Sequence, residues 1–483
     1  MRSCYGAFSP SRRLLFRGRS PFPWAMLLLI TAISALSAGQ SAQAAKQQAR
    51  PNIVLLMCDD MGYEGVSAYG SQTYKTPHLD RLASQGLLFN HCYSTPICTT
   101  SRVQIMTGKY NHRNYVRFGF LDTNQITFGN LLRDAGYATA IAGKWQLGGD
   151  GKTVRDFGFD NYCLWQVSGG RDSRFWDPRI EQDGKLLDGL EEKFGPDVFC
   201  DYLCNFIHEK KEKPFFVYYP MVLVHWPFVP TPDSPPGGSR ERSGKYDGQN
   251  GGVEYFPDMV NYLDKIVGRL IDQLKQDDLV DNTLFLFTCD NGCATNIVSQ
   301  MGDQTIHGGK ASLPDAGTHA ALVAYWPAVI KPTGPINTLV DLSDILPTLV
   351  AATGAKLPAD GPIDGVSFLP VLRGETQESR PWIFCHYSRN GLPREPKAAE
   401  KREEIIAKQQ REIQAKTLGR FARTQRYKLY EDGRFYDISQ DVLEKKNLPP
   451  GSSSAEAEAA RKTLQAVHDQ MGPWEPFSAG KDD

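Results

Sequence analysis

Six short stretches of the chain carry residue types that could act together on a charged group. Asp59 and Asp60 end the apolar run PNIVLLMCDD, and Asp290 and Asn291 end NTLFLFTCDN. These are hard oxygen donors with no paired His or Cys beside them, so they suit calcium or magnesium rather than zinc. Calcium, which accepts the larger and looser oxygen shell, is the ion expected. Cationic or protonatable groups recur in similar settings: Arg102 in CTTSR, Lys144 in AGKW, His225 in VHWP and Lys310 in HGGK. Oxygen ligands holding a metal among basic side chains suit the transfer of a tetrahedral oxyanion. Each stretch alone is weak, because an Asp-Asp after a strand is more often a turn or a helix cap. A His beside Trp226 and Pro227 is more often a satisfied core residue.

The elements that must position these groups are strands. Ile53–Met57 is a continuous apolar run, as expected of a strand buried on both faces of a parallel sheet. KPFFVYYPMVLVHWPF reads as a second strand ending at His225, ATAIAGKW as one with Lys144 just past its end, and NTLFLFTCDNG as one ending at Asp290. Amphipathic helical patterns lie between them. HLDRLASQG sets Leu79 and Leu82 on one face, ITFGNLLRDAG closes at Gly136, and MVNYLDKIVGRLIDQLKQDD is similar. This alternation predicts an α/β fold with a mainly parallel sheet, and ligands bind such sheets beyond the carboxyl ends of the strands. From about Pro370 the pattern changes to a smaller α+β unit with an antiparallel sheet. There KLYEDGRFYDI reads as a hairpin turning at Asp432-Gly433, and AEAEAARKTLQAVHDQM as a closing helix. PREPKAAEKREEIIAKQQREIQAK reads as an exposed charged helix, and residues 231–252 as a long Pro/Gly/Ser loop that either covers a substrate or is a plain insertion. GGRDSRFWDPR, residues 169–179, mixes Arg with aromatics and could hold a sugar bearing anionic groups, or be an ordinary exposed loop.

Composition narrows the class. The 483 residues are 41% hydrophobic and 23% charged with a net charge of −1, an ordinary globular balance that gives no support for a nucleic-acid partner. Residues 1–44 do not read as fold: a basic head with Arg2, Arg12, Arg13, Arg17 and Arg19 leads into WAMLLLITAISAL and an Ala42-Gln43-Ala44 cleavage pattern. The apolar run of about 13 residues is too short to span a hydrocarbon core, so it is expected to be a removed export signal, leaving no membrane span and a periplasmic or secreted protein. Of the ten cysteines, Cys200 and Cys204 share a helix face at a spacing unsuited to a disulfide, and Cys58, Cys163 and Cys289 read as buried thiols.

Taken in order, PNIVLLMCDDMG, TPHLDRLASQGLLFNHCYS, CTTSR, GKWQLG, HWPFVP, CDNG, GGK and DLSDILPTLVAATG resemble the sulfatase family of the alkaline-phosphatase superfamily, from about Pro51 to Leu448. The resemblance implies a large mixed, mainly parallel sheet sandwiched by helices, with residues 45–369 as the catalytic domain and 370–483 as the smaller one. It implies that a formylglycine-generating enzyme oxidises Cys98 to formylglycine, whose hydrate supplies the nucleophilic oxygen. It further implies that Arg102 steadies that group and that Asp59, Asp60, Asp290, Asn291 and the modified Cys98 bind one calcium ion. Lys144 and Lys310 would contact sulfate, with Gln146 in the same subsite, and His225 would stand near the leaving oxygen as a general acid. The apolar stretch after Arg102 is expected to be a helix whose N-terminus favours an anion.

Three positions depart from the family pattern. Thr100 stands where Pro or Ala is usual, Gln146 where a His is usual, and Asp315-Ala316-Gly317 where Glu-Gly-Gly is common. Gln146 can hydrogen-bond but cannot act as a base, so His307 and His319 are candidate stand-ins, with surface or structural roles equally open. Asp315 is expected only to alter local packing. The substrate expected is a small-molecule or oligosaccharide sulfate ester. The alternatives are a phosphoester or phosphonate hydrolase on the same scaffold, or a non-catalytic binder of sulfate esters.

Overall fold

The computed structural model describes residues 50–167, 173–235, 252–359, 361–389 and 411–472. The expected export signal lies outside these residues, as do most of the 231–252 loop, part of 169–179 and most of the charged helix. No helix among the described residues is long and apolar enough to cross a membrane.

Seventeen strands are described. They are β1 (Asn52–Cys58), β2 (Leu87–Tyr93), β3 (Ala138–Lys144), β4 (Asn161–Trp165), β5 (Ile180–Gln182), β6 (Lys185–Leu186), β7 (Phe215–Pro220) and β8 (Thr283–Cys289). There follow β9 (Val298–Met301), β10 (Gln304–His307), β11 (His319–Ala320), β12 (Leu322–Tyr325), β13 (Gly334–Asp341), β14 (Ile383–Tyr387), β15 (Gly419–Arg423), β16 (Tyr427–Tyr430) and β17 (Phe435–Asp437). Eleven form one mixed sheet in the order β11-β2-β12-β8-β1-β7-β3-β4-β5-β6, with β13 paired to β2. Its centre, β8-β1-β7-β3-β4, is parallel throughout. Every residue of β1, β7 and β8 is buried, which is why these strands read as unbroken apolar runs rather than alternating ones. The sheet lies between two groups of helices. Pro77–Gln85, Gly195–Lys210 and Phe256–Gln276 pack together in one, and Cys98–Thr107, Phe128–Asp134 and Ile345–Thr353 in the other. The expected apolar face and stop hold: Leu79 and Leu82 are buried on Pro77–Gln85, and Gly136 takes a positive φ of 83° just past the helix Phe128–Asp134.

Two expected boundaries are corrected. The strand predicted to end at His225 stops at Pro220. Pro has no N–H to continue a ladder, and the next residues leave the regular sheet while still bonding to the segment beyond β1. Met221 N donates to Met57 O, Asp59 N to Leu223 O and Val224 N to Asp59 O. The helix expected after Arg102 begins at Cys98, so the CTTSR motif is its first turn, and all ten of its residues are buried.

A second, antiparallel sheet of order β14-β15-β16-β17 contains the expected hairpin, turning through Gly433 at φ 85°. One face, bearing Phe384, Ala422 and Leu429, packs on the helix Ala455–Gln470 through Leu464 and Val467. The other, bearing Cys385, Tyr387, Phe421 and Tyr430, packs on Ile97, Cys98 and Leu313. Asp315, expected only to alter packing, ties the two sheets together. Its Oδ1 accepts from Arg423 Nη1 at 2.7 Å and Lys428 Nζ at 3.3 Å, and Lys428 also donates to Glu444 at 2.8 Å. All four side chains are nearly or fully removed from solvent.

Breaking such a pair from one side leaves a buried charge without its partner. Asp315→Asn is therefore expected to destabilise the fold by about 3–5 kcal/mol, read from the shift in denaturant midpoint at unchanged slope.

Candidate active site

The register of the parallel strands sets the first two acidic groups side by side. Cys58 on β1 pairs with Cys289 on β8, so Asp59 and Asp290 leave the sheet abreast. Asp290 N then donates to Cys58 O at 3.1 Å and Asp60 N to Asp290 Oδ1 at 3.0 Å. Asn291 Nδ2 donates to Asp60 Oδ1 at 3.0 Å and to Gly292 O at 2.9 Å. Lys144 is the last residue of β3, two strands from β1. Gly143 before it has φ 116°, and a Cβ there would lie 2.2 Å from Pro220 O, so only glycine lets β3 approach β7 this closely.

The cations fall on the carboxylates. Lys144 Nζ donates to both Asp59 oxygens at 3.0 and 2.8 Å, and Lys310 Nζ to Asp60 Oδ2 at 2.5 Å. Arg102 Nη2 is 3.0 Å from Asp290 Oδ2 and 3.7 Å from Asp59 Oδ1. Burial alone would raise Asp59, but Lys144, His225, Arg102 and Lys310 hold it well below the usual carboxylate range. Asp60 is also lowered, against its burial, by His225 and Lys310. Asp290 goes the other way, to about 7, because burial and the neighbouring Asp59 outweigh Arg102.

The oxygen donors fit a divalent cation. Asp59, Asp290 and Cys98 each offer an atom within 4.8 Å of the others, and so do Asp59, Asp60 and His225. Asn291 Oδ1 is buried with no hydrogen-bond partner, a cost that a metal–oxygen bond removes. The donor set is carboxylates and an amide oxygen, as a hard ion requires. Asp59, Asp60, Asp290 and Asn291, with the side chain at position 98, are the residues that would hold it.

Cys98 opens its helix. The N-cap residue, Ile97, makes no side-chain cap, so no capping side chain occupies the first-turn amides, which an anion can use. The thiol is 1% exposed; burial raises its pKa, and Lys144 and Lys310 only partly offset this, so it stays protonated. It donates to Gln146 Oε1 at 3.2 Å. Thr100 Oγ1 donates to Ile97 O at 2.8 Å and bonds Thr95 Oγ1 at 2.6 Å, holding the turn that a proline would otherwise stiffen. Three of the ten non-glycine positive φ values among the described residues, at Asp60 (60°), Gln146 (51°) and Ala311 (67°), fall on or beside a candidate site residue. Such backbone costs of order 1–3 kcal/mol each and is kept where the surroundings impose it.

His225 Nδ1 lies 2.5 Å from Trp226 O. A carbonyl only accepts, so Nδ1 carries a proton and Nε2 faces Asp60 Oδ2 at 3.5 Å. Burial pushes this imidazole down to about 3. Neither candidate stand-in for the missing His is shown in contact with the site. His319 stacks on Tyr63 at 3.9 Å and bonds Asn90 O at 2.9 Å, and His307 is exposed on β10. Arg174 was not among the expected site residues, yet its Nη1 lies 3.8 Å from Asp59 Oδ2, with its guanidinium 4.1 Å above Trp165. The signal for it was the Arg-aromatic mixture of residues 169–179. A cavity of about 1010 Å³ elsewhere is lined by five acidic residues, Asp183, Glu192, Asp197, Asp201 and Glu209, against two basic ones, Lys193 and Arg269, a balance unsuited to an anionic ester.

A family model, Sulfatase, matches residues 51–355. The chain is 30% identical to human arylsulfatase A over 70% of this chain and 71% of that protein. It is 28% identical to the N-acetylgalactosamine-6-O-sulfatase of Bacteroides thetaiotaomicron over 83% of this chain and 89% of that protein. Among solved structures, a sulfatase from Pseudoalteromonas sp. superposes with a TM-score of 0.67 at 21% identity, covering 91% of this chain and 94% of that one. A protein in complex with its substrate D-glucosamine-2-N,6-O-disulfate superposes with a TM-score of 0.65 at 22% identity, covering 87% and 97%.

Calcium at about a hundred times its Kd should stabilise the protein by about 2.7 kcal/mol, seen as a rise in Tm that a chelator reverses. Asp290→Asn is expected to abolish that calcium-dependent rise; a variant that keeps it would remove Asp290 from the ligand set.

Proposed function

Because this chain belongs to the sulfatase family, we propose that it is an exported, calcium-dependent sulfatase acting on a sulfated carbohydrate through a formylglycine made from Cys98. It is a sulfuric ester hydrolase. The observation that most supports the finer reading is the convergence of Cys98, Asp59 and Asp290 within 4.8 Å of one another, ringed by Lys144, Lys310 and Arg102. When bound, calcium would polarise the sulfate oxygens and the hydrated formylglycine would supply the attacking oxygen.

The chain's own residues then have these roles. Lys144 and Lys310 bind the non-bridging oxygens and offset charge that grows on them. Arg102 bridges Asp59 and Asp290 and fixes their orientation. His225 presents Nε2 to the leaving oxygen. A bound anion beside it raises that nitrogen's affinity for a proton, which it can then pass on. Gln146 orients residue 98 by hydrogen bond but takes no proton near neutral pH. The helix Cys98–Thr107 is buried over its full length, so a formylglycine-generating enzyme would have to reach Cys98 before the fold closes. The sulfated-sugar substrate of one structural neighbour and the sugar named for one relative favour a carbohydrate ester. Arg174, held over the buried ring of Trp165, offers a cation to such a ligand.

Cys98→Ala is expected to abolish sulfate-ester turnover with Tm nearly unchanged, and mass spectrometry of the wild-type peptide spanning Cys98 should show the aldehyde. An unmodified thiol, or phosphate esters cleaved faster than matched sulfate esters, overturns this reading. Gln146→His restores a possible base beside residue 98 and should raise kcat by about tenfold or more, measured with a generic aryl sulfate. An unchanged or lower kcat means that proton removal at this position does not limit turnover.

A further inference from the structure

The C-terminal sheet brings one polar group to the site that the family pattern does not use. Side chains alternate along β14, so Phe384 faces the closing helix while Cys385 and Tyr387 face the cluster that contains Ile97, Cys98 and Leu313. Tyr387 is fully buried, and its hydroxyl has no hydrogen-bond partner among the described residues. A buried hydroxyl left unpaired is costly, and replacement by Phe would remove that cost without changing the shape. The chain on either side is held firmly. Tyr387 pairs with Gly419 across β15, and Tyr115 Oη donates to Arg389 O at 2.8 Å, fixing the backbone two residues further on. The ring shares its buried cluster with Cys98 and with Ala311, the residue after Lys310. A tyrosine O–H packed in the cluster of the nucleophile position can donate, and the missing partner is an acceptor.

We propose that the Tyr387 hydroxyl donates a hydrogen bond to an oxygen of the sulfate group bound between Cys98 and Lys310, making the C-terminal sheet part of the substrate site. The proposal rests on the sulfatase reading above and adds a substrate-binding residue to it. Lys144 and Lys310 attract any small anion by charge alone. A fixed neutral donor adds direction and helps to seat the tetrahedral group in one orientation.

The test is Tyr387→Phe in the full chain loaded with calcium, with inorganic sulfate as the probe for binding and an aryl sulfate for turnover. Sulfate Kd should rise, and kcat/KM should fall, by about tenfold, while Tm stays equal or increases. A variant with wild-type sulfate affinity and kcat/KM overturns the role of the hydroxyl, as does a fall in Tm that reveals a protein partner. A wild-type protein that neither binds sulfate nor cleaves the ester overturns the sulfatase mechanism itself, an outcome that the Tyr387 comparison does not mimic.

Discussion

Three carboxylates, Asp59, Asp60 and Asp290, sit within about 1% exposure at the ends of two neighbouring strands. Bringing like charges together out of water is costly unless opposite charge comes with them. Here cations come with them: Lys144 on Asp59, Lys310 on Asp60 and Arg102 on Asp290, with Arg102 and Arg174 also within 4 Å of Asp59. The opposite charges largely offset one another in the bare site. A divalent ion added to that balance makes the site positive, and an anionic ester brings it back. The same lysines that screen the aspartates are therefore available to hold the substrate once a metal shares the carboxylates.

The parallel sheet is what makes this crowding possible. Pairing β1 with β8 in register puts Asp59 level with Asp290, and the irregular path after β7 swings His225 over Asp60. Three of the ten non-glycine positive φ values among the described residues, at Asp60, Gln146 and Ala311, lie on or beside site residues, and the surrounding fold must hold them there. The helix opened by Cys98 is an extreme case. It has no exposed face, and several of its polar side chains are bonded internally, as in Thr95–Thr100–Ser101 and Gln104–Asp341, although Arg102 Nε and Nη1 and Gln104 Oε1 are buried without a partner among the described residues. A helix with those bonds has little freedom to move residue 98 away from the acidic groups.

The C-terminal sheet closes the other side. The salt-bridged group Asp315–Arg423–Lys428–Glu444 anchors it, and its inner face supplies Tyr387, Phe421 and Tyr430 as a wall against Cys98. An apolar wall lowers the local dielectric and strengthens every charge interaction that it covers.

Much was legible from residue order alone. The apolar runs of β1, β3 and β8 gave strands because burial on both faces demands unbroken hydrophobic side chains. Asp59, Asp60, Asp290, Asn291, Lys144 and Lys310 could be picked out because hard ligands and cations followed such runs or neighbouring glycines. Polar periodicity could not reveal that CTTSR is itself a helical turn, because a fully buried helix has no amphipathic face to read. It also placed the end of β7 five residues too late, since Met221–His225 is as apolar as a strand but bonds irregularly. Which cation meets which carboxylate, the arrival of Arg174 and the inward turn of Tyr387 were decided only by the tertiary structure. Those contacts join residues far apart in the chain, and their geometry comes from strand register and sheet packing, which no local spacing records.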